Sequence, residues 1–236
     1  MEKKLTVNGV EICYELQIKK VKNINIRIGA DSRITVSSNR RVPIERIESL
    51  LSANADRLIK AVNRHAEAKA RCIHPVDYTD GERMVVFGDE YTLSIVQSNK
   101  PRVYTDGSTL VIAVKDTYDT SAKSTLADKW LRSRMLEASE QACRRIFPYF
   151  ESRGVRFPTV RVRKMTSQWG NCRPREGVVT FNTRLVMMPH SLIDYVAAHE
   201  MCHFLHPDHS RLFYAALFEC MPDWQARKKQ LADFVC

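Results

Sequence analysis

The chain has 236 residues, of which 44% are hydrophobic and 27% charged, with a formal net charge of +10. This is the composition of a globular protein whose basic surface could attract polyanions. No apolar run approaches the roughly 18 residues of a membrane-spanning helix, and the first residues lack the apolar core of a secretory signal, so we expect a cytoplasmic protein with no membrane partner.

The first forty residues predict β-strands because apolar side chains alternate along them. A turn signal at Asn8-Gly9 separates the first two strands, and the alternation returns over residues 24–28. Apolar residues at helical spacing then predict a helix from Pro43 to about Arg71.

Two further stretches, residues 85–96 and 103–114, also read as strands. Turn signals interrupt them at Gly88-Asp89 and at Asp106-Gly107. Residues 1–118 are therefore expected to form a β-rich N-terminal lobe with one long helix, and residues 119–236 a second domain. No internal repeat is evident.

The second domain begins with a long amphipathic helix. It is predicted from Ser121 to Arg153, with a bend where Pro148 interrupts its hydrogen bonds. A strand pair is predicted next, Val155–Trp169 with Val178–Leu185, around a turn at residues 173–177.

Basic residues are concentrated in two parts of the chain. Residues 1–74 contain 15 basic and 8 acidic groups, a net charge of +7. Farther along, Arg161 and Arg163 alternate with valines, which indicates a strand with one solvated face. Solvation explains most such charges, but a nucleic acid or nucleotide partner stays open.

Residues 199–203 read His-Glu-Met-Cys-His, the H-E-x-x-H pattern of zinc hydrolases. On a helix, His199 and His203 lie on one face and can bind one ion, while Glu200 can take a proton from water that the metal activates. The expected helix has an S-x-x-D capping box at Ser191 and Asp194 and ends near Leu205-His206, before a proline.

A catalytic zinc ion normally has three protein ligands and one open position. His209 is the first candidate for the third ligand, at the entrance of a predicted helix over Ser210–Met221. Glu219 in that helix and His206 are the alternatives. The predicted buried stripe of this helix consists of Leu212, Phe213, Ala216, Leu217 and Cys220.

The seven cysteines are dispersed and contain no C-x-x-C pair. Neither a disulfide framework nor a second zinc site is therefore expected. Cys202, inside the motif helix, and Cys172 are both interpreted as structural residues, because water activated by a metal already provides a nucleophile.

From about residue 125 to the C-terminus, and more weakly in its N-terminal half, the chain resembles the YgjP-like metallopeptidase family, predicted zinc-dependent hydrolases of the zincin type that are related to SprT-like proteases. The resemblance rests on the order and spacing of five blocks: Trp169-Gly170-Asn171-Cys172, Phe181-Asn182-Thr183-Arg184-Leu185, Ile193-Asp194-Tyr195-Val196, the H-E-x-x-H motif, and His209-Ser210-x-x-Phe213. It implies that His199, His203 and His209 bind zinc and that Glu200 is the general base. The family more often has serine where this chain has Asn171.

Together these patterns predict an α+β, zincin-like zinc hydrolase with a small β-rich N-terminal lobe, acting on a peptide or protein substrate. The Trp169–Cys172 block is expected to line its cleft. Two alternatives keep the metal: a nucleoside triphosphate pyrophosphatase, and a DNA-associated protease whose basic N-terminal lobe binds the polyanion. A third is a metal-binding scaffold without catalysis.

Overall fold

The computed structural model describes residues 2–7, 10–28, 34–59 and 76–234. The chain is mixed α+β, as expected, and divides into two compact units. Residues 1–73 and 232–236 form the first, and residues 74–231 the second. The predicted division at residue 118 stays a prediction. Within the described ranges, no helix has both the length and the apolarity needed to cross a membrane.

The first unit contains a four-stranded sheet with the order β1-β2-β4-β3. Its two inner strands are parallel and both outer pairs are antiparallel. The strands are β1 (Glu2–Val7), β2 (Val10–Ile18), β3 (Asn25–Ile28) and β4 (Ile34–Ser38).

One face of this sheet packs on helix α1 (Ile44–Ala53). Tyr14 and Val36, from the inner strands, are buried in the same core as Ile47 and Leu51 of the helix. The alternation along the strands gives the sheet one apolar face, and the helical spacing gives α1 another. These two faces are buried against each other.

The predicted continuous helix from Pro43 is wrong at Asn54. There the side-chain Nδ2 donates to the Leu50 carbonyl oxygen at 2.8 Å, and helical backbone resumes over residues 55–59. An asparagine that bonds to the backbone of its own helix competes with the regular pattern. The rest of the predicted helix, and the Asn8-Gly9 turn, lie outside the described residues.

The second unit begins with another four-stranded sheet, of order β5-β6-β8-β7. The interruptions predicted at Gly88 and Gly107 are confirmed, because they separate paired strands. The strands are β5 (Arg83–Val86), β6 (Asp89–Gln97), β7 (Arg102–Asp106) and β8 (Thr109–Val114).

The two four-stranded sheets repeat one topology and nearly one register. Each opens with a hairpin in which two residues separate the closing pair, Val7 with Val10 and Val86 with Asp89. In each, the second and fourth strands are parallel. The sequence shows no evident repeat because this similarity lies in backbone pairing, which needs only apolar alternation and few identical residues.

Helix α2 (Thr120–Glu151) follows β8 and matches the predicted long helix. Asp119 caps it, since its side-chain oxygen accepts from the Ala122 amide at 2.9 Å. The helix continues through Pro148 and buries Met135, among other residues, in the core of the second unit.

A three-stranded sheet comes next: β9 (Thr159–Arg163), β10 (Gly170–Arg173) and β11 (Val178–Asn182), in the order β10-β11-β9. The predicted pairing is wrong, because the hairpin partner of β11 is the separate strand β10, and β9 pairs with β11 in parallel.

Asn182 provides the physical reason for the split strand. Its side-chain amide donates to the carbonyl oxygens of Met165 (2.9 Å) and Gln168 (2.7 Å), which holds residues 164–169 as a loop. Its Oδ1 accepts from the Arg184 amide at 3.2 Å, so the chain turns into a short 3₁₀ helix (Thr183–Met187) instead of extending the strand to Leu185.

Three helices complete the described chain: α3 (His190–Cys202), α4 (Arg211–Cys220) and α5 (Trp224–Asp233). The capping box predicted at Ser191 is wrong, since α3 begins after Pro189 with no side-chain cap. Asp194 instead pairs with Arg145 of α2 at 2.5 Å. In α4, the predicted stripe is buried at Phe213, Ala216 and Leu217, whereas Leu212 is 65% exposed.

Candidate metal centre and catalytic cavity

Helix α3 carries His199 and Glu200 in its last turn, and His203 is the residue that caps its C-terminus. Most of its other side chains are buried, including Ile193 and Met201. A helix packed on nearly all sides has little freedom to rotate, so the direction of its last side chains is fixed.

The three histidines predicted to bind metal lie together. The His199 and His209 Nε2 atoms are 3.0 Å apart. One ligand atom from each of His199, His203 and His209 lies within 4.8 Å of the others. We call these three residues the histidine cluster. The Pro207-Asp208 turn, which follows α3, brings His209 back toward the helix.

Phe213 of α4 packs against every member of the cluster. Its ring centroid is 5.0 Å from that of His199, 4.8 Å from that of His203 and 4.7 Å from that of His209. Phe213 is fully buried. One aromatic ring from the neighbouring helix therefore orients all three imidazoles.

The surroundings of His199 and His203 favour neutral imidazoles. Burial, together with the charges of His203, His209 and Lys228, lowers the pKa of His199 to about 4. Burial also lowers the pKa of His203. The His203 Nδ1 lies 3.3 Å from the His206 carbonyl oxygen, to which it can donate, and this leaves Nε2 free as a ligand atom.

Glu200 lies beside the cluster and is 7% exposed. Burial raises the pKa of its carboxyl to about 7, opposed by a hydrogen bond from the Cys172 backbone amide. Near neutral pH this carboxyl can therefore both accept and release a proton.

Gly170 of β10 allows the hairpin to approach Glu200 closely. A Cβ atom built on Gly170 would lie 2.6 Å from Glu200 Oε1 and 2.8 Å from Val196 Cγ1, closer than carbon atoms can pack. Only glycine fits here. Consequently β10 meets the helix through its backbone, and Cys172 can reach the carboxylate with its N–H.

The cluster and Glu200 line one cavity of about 480 Å³. Trp169, Gly170, Asn171 and Cys172 also line it, which confirms the expectation that this block lines the cleft. The volume is in the range of small-molecule and peptide side-chain pockets.

Comparison with known proteins decides the family. The family model described as YgjP-like, metallopeptidase domain, matches residues 22–234. The chain belongs to the YgjP-like metallopeptidase family. At family level it is therefore a metal-dependent peptidase, and the match extends well before residue 125, where the stronger part of the sequence resemblance begins.

Among solved structures, the metallopeptidase zymogen of Pyrococcus abyssi abylysin is similar over 39% of this chain and 90% of that chain. The identity is 15% and the TM-score is 0.36, so the family assignment depends on the family model alone. No curated protein matches the sequence significantly.

The donor set of this YgjP-like chain fits a divalent ion. Two nitrogens bonded to one zinc ion at about 2.1 Å can lie at most about 4.2 Å apart. The His199–His209 nitrogen pair meets this limit at 3.0 Å, and the three ligand atoms lie within 4.8 Å of one another, so a ring shift of a few tenths of an ångström would let all three reach one ion. Neutral imidazole is the form that binds metal. The roles of the three histidines as ligands stay a prediction that this geometry supports.

The two other candidate ligands lie elsewhere in the YgjP-like domain. Glu219 accepts a hydrogen bond from the Tyr149 hydroxyl at 2.8 Å and pairs with Arg153 at 3.0 Å. His206 contributes its backbone carbonyl to His203 and is not a member of the cluster. Neither side chain joins the cluster of donors.

Tyr195 and Cys172 also line the cavity. Burial raises the pKa of Tyr195 to about 12 and that of Cys172 to about 12. Both therefore stay protonated near neutral pH, which agrees with a structural role for the Cys172 thiol.

Gly170 and Phe213 are determinants of the site that the sequence pattern does not predict. Gly170 stands at the start of a predicted cleft-lining block, and a glycine in a strand signals close backbone approach. Phe213 was predicted to be buried, but its contact with three imidazoles depends on how α4 packs on α3, which periodicity does not reveal.

Proposed function

We propose that the protein is a zinc-dependent peptidase of the zincin type, in which His199, His203 and His209 hold the ion and Glu200 is the general base. One observation carries the proposal: the histidine cluster and the buried carboxyl of Glu200 line the same cavity. Three imidazoles favour zinc over harder divalent ions.

When bound, the ion would supply Lewis acidity that activates water and polarises the scissile carbonyl. The protein supplies the proton acceptor. With a pKa raised to about 7, the Glu200 carboxyl can take a proton from the attacking water and deliver it to the leaving amine.

The hairpin determines where this carboxyl lies. The Cys172 N–H binds the carboxylate and Gly170 leaves no space between strand and helix. The acceptor is thus held beside the cluster and is not free to rotate into solvent, which is the condition for efficient proton transfer.

The cavity favours a peptide over a phosphorylated substrate. Among the described residues that line it there is neither lysine nor arginine, although phosphate groups are usually bound by such cations. The nucleoside triphosphate pyrophosphatase, the DNA-associated protease and the non-catalytic scaffold stay alternative predictions.

The test is to purify the full chain, measure its bound metals, and assay it with a peptide library and with nucleoside triphosphates. We expect about one zinc ion per chain and cleavage of peptides. Glu200→Gln should keep the zinc and lose roughly 10²- to 10⁴-fold in kcat.

Two results would contradict the proposal. Hydrolysis of triphosphates but not peptides by the zinc-loaded protein would favour the pyrophosphatase. Peptide cleavage by Glu200→Gln at the wild-type rate would remove Glu200 as the base.

A further inference from the structure

A second concave surface lies on the same three-stranded sheet that borders the catalytic cavity. It has a volume of about 400 Å³, and its lining includes four arginines and aliphatic side chains. We call it the arginine groove and define it by Arg132, Leu136, Arg161, Val162, Arg163 and Arg173.

The groove concentrates positive charge that the protein leaves largely uncompensated. Arg173 pairs with Glu176 at 3.2 Å. In the described part of the chain, no carboxylate pairs with Arg132, Arg161 or Arg163, and all three side chains are exposed. Like charges around one depression repel each other, and a bound anion would relieve that repulsion.

The strand register connects the groove to the catalytic cavity. Asn171 pairs with Thr180, and Thr180 pairs with Arg161. Cross-strand partners point to the same face of a sheet. Asn171 lines the catalytic cavity and Arg161 lines the groove. Two strand spacings of about 4.8 Å separate them, roughly the length of three extended residues.

The lining indicates which kind of anion fits. Arginine guanidinium groups bind carboxylates through paired hydrogen bonds. Leu136, which is 36% exposed, can pack against the methylene groups of glutamate side chains. Proteins that bind single-stranded nucleic acid stack the bases on aromatic rings, and none of the described residues lining this groove is aromatic.

We propose that the arginine groove binds acidic side chains of the peptide or protein substrate, a few residues from the bond that is cleaved. A chain that leaves the cavity across the hairpin reaches Arg161 and Arg163. This inference rests on the proposed peptidase function and adds a preference for acidic substrates to it.

The first experiment compares two quenched fluorescent peptide libraries with the same randomised centre. One library carries three glutamates on either side of the centre and the other three glutamines. We expect the zinc-loaded wild type to have the higher kcat/KM on the glutamate library, and the preference to decrease as salt is added.

Arg161→Gln/Arg163→Gln should reduce the ratio of the two kcat/KM values roughly tenfold, as expected for the loss of two exposed ion pairs. Arg27→Gln is the matched control, because Arg27 is also an exposed arginine on a strand but lies outside the groove. It should keep the wild-type ratio. Thermal melting checks that both variants are folded.

A second readout does not need catalysis. Fluorescence anisotropy of a labelled hexaglutamate peptide should show binding to Glu200→Gln that is weakened roughly tenfold by the double substitution. If neither library is cleaved but this binding holds, the peptidase function fails and the groove as a carboxylate site stands.

Equal cleavage of the two libraries, or an unchanged ratio in the double variant, would overturn the proposal. Binding of a labelled oligothymidylate that depends on Arg161 and Arg163, without any preference for glutamate, would overturn it in favour of nucleic acid.

Discussion

The two sides of the catalytic cavity contribute in different ways. The helix side supplies functional side chains. His199 and His203 can bind metal, and Glu200 can transfer protons. The hairpin side contributes through its backbone. Gly170 has no side chain and so allows close approach to Glu200, and Cys172 donates its backbone N–H to the carboxylate. The chemistry therefore depends on residue identity on one side and on backbone position on the other.

This difference predicts that substitutions on the two sides will reduce activity in different ways. On the helix side, loss of a functional group should abolish metal binding or proton transfer while the fold survives. On the hairpin side, the functional groups remain, and a substitution should act by moving Glu200 or by destabilising the loop that holds the strand.

The largest effect is expected on the helix side, from His203→Ala. A lost metal ligand should weaken zinc binding by more than about a hundredfold, since a lost outer-shell partner alone costs 10- to 100-fold. The measurement is zinc competition with a coloured chelator, together with peptide cleavage at limiting zinc.

His206→Ala is the matched control for this experiment. It also removes an imidazole from the segment between His203 and His209 but keeps the backbone carbonyl that faces His203 Nδ1. We expect its zinc affinity to stay within about threefold of the wild type. If both variants lost zinc equally, the cluster would be assigned incorrectly.

On the hairpin side, Gly170→Ala should have the largest effect. The new Cβ would lie 2.6 Å from Glu200 Oε1 and must displace the carboxyl. A displacement of about 1 Å can cost roughly 10²-fold in rate, and overpacking costs about 1–3 kcal/mol of stability. We expect kcat to fall about that much with zinc content unchanged.

Gly81→Ala separates the two causes of such a loss. Gly81 has a positive φ of 80°, and no other atom lies within 4 Å of the place that an alanine methyl group would occupy. An alanine there should lower the melting temperature through backbone strain alone and leave kcat unaffected. A similar loss of kcat in both variants would show that Gly170 acts through stability and not through Glu200.

The contrast between the two sides also explains what the sequence could predict. The H-E-x-x-H spacing places its side chains through helical geometry alone, so the proximity of His199, Glu200 and His203 was predictable, while their roles stay a prediction. The position of β10 depends on a register set by long-range pairing and on the loop that Asn182 holds. The local alternation of apolar residues predicted one strand covering both β9 and that loop, because nothing in a period-2 pattern marks where a strand stops pairing.

Asn182→Ala should have an intermediate effect, mainly on stability. The side chain is 2% exposed and donates to two backbone carbonyls of the loop. Buried groups left without partners should cost about 2–3 kcal/mol in the free energy of unfolding. Chemical denaturation measures this.

The control is Asn99→Ala, an exposed asparagine, expected to change the free energy of unfolding by less than about 0.5 kcal/mol. If Asn182→Ala were equally mild, another interaction would have to hold the loop that leads into β10.

The smallest effect is expected on the helix side, from an ion pair between α2 and α3. Arg145 of α2 pairs with Asp194 of α3 at 2.5 Å, with exposed side-chain fractions of 47% and 21%. Because solvent screens such a pair, a double-mutant cycle with alanine at both positions should give a coupling energy of about 1 kcal/mol. The pair Arg134–Glu137, exposed on both sides at 47% and 53%, should couple by less than about 0.5 kcal/mol.

The Arg145–Asp194 pair also tests whether core packing alone positions the helix side of the cavity. The many buried contacts of α3 fix its position, so breaking the Arg145–Asp194 pair should lower stability while zinc affinity and kcat stay within about twofold of wild type. A large loss of zinc affinity in Asp194→Ala would mean that a surface ion pair, and not core packing, sets the direction of His199. In that case the helix side would depend on positioning as much as the hairpin side does.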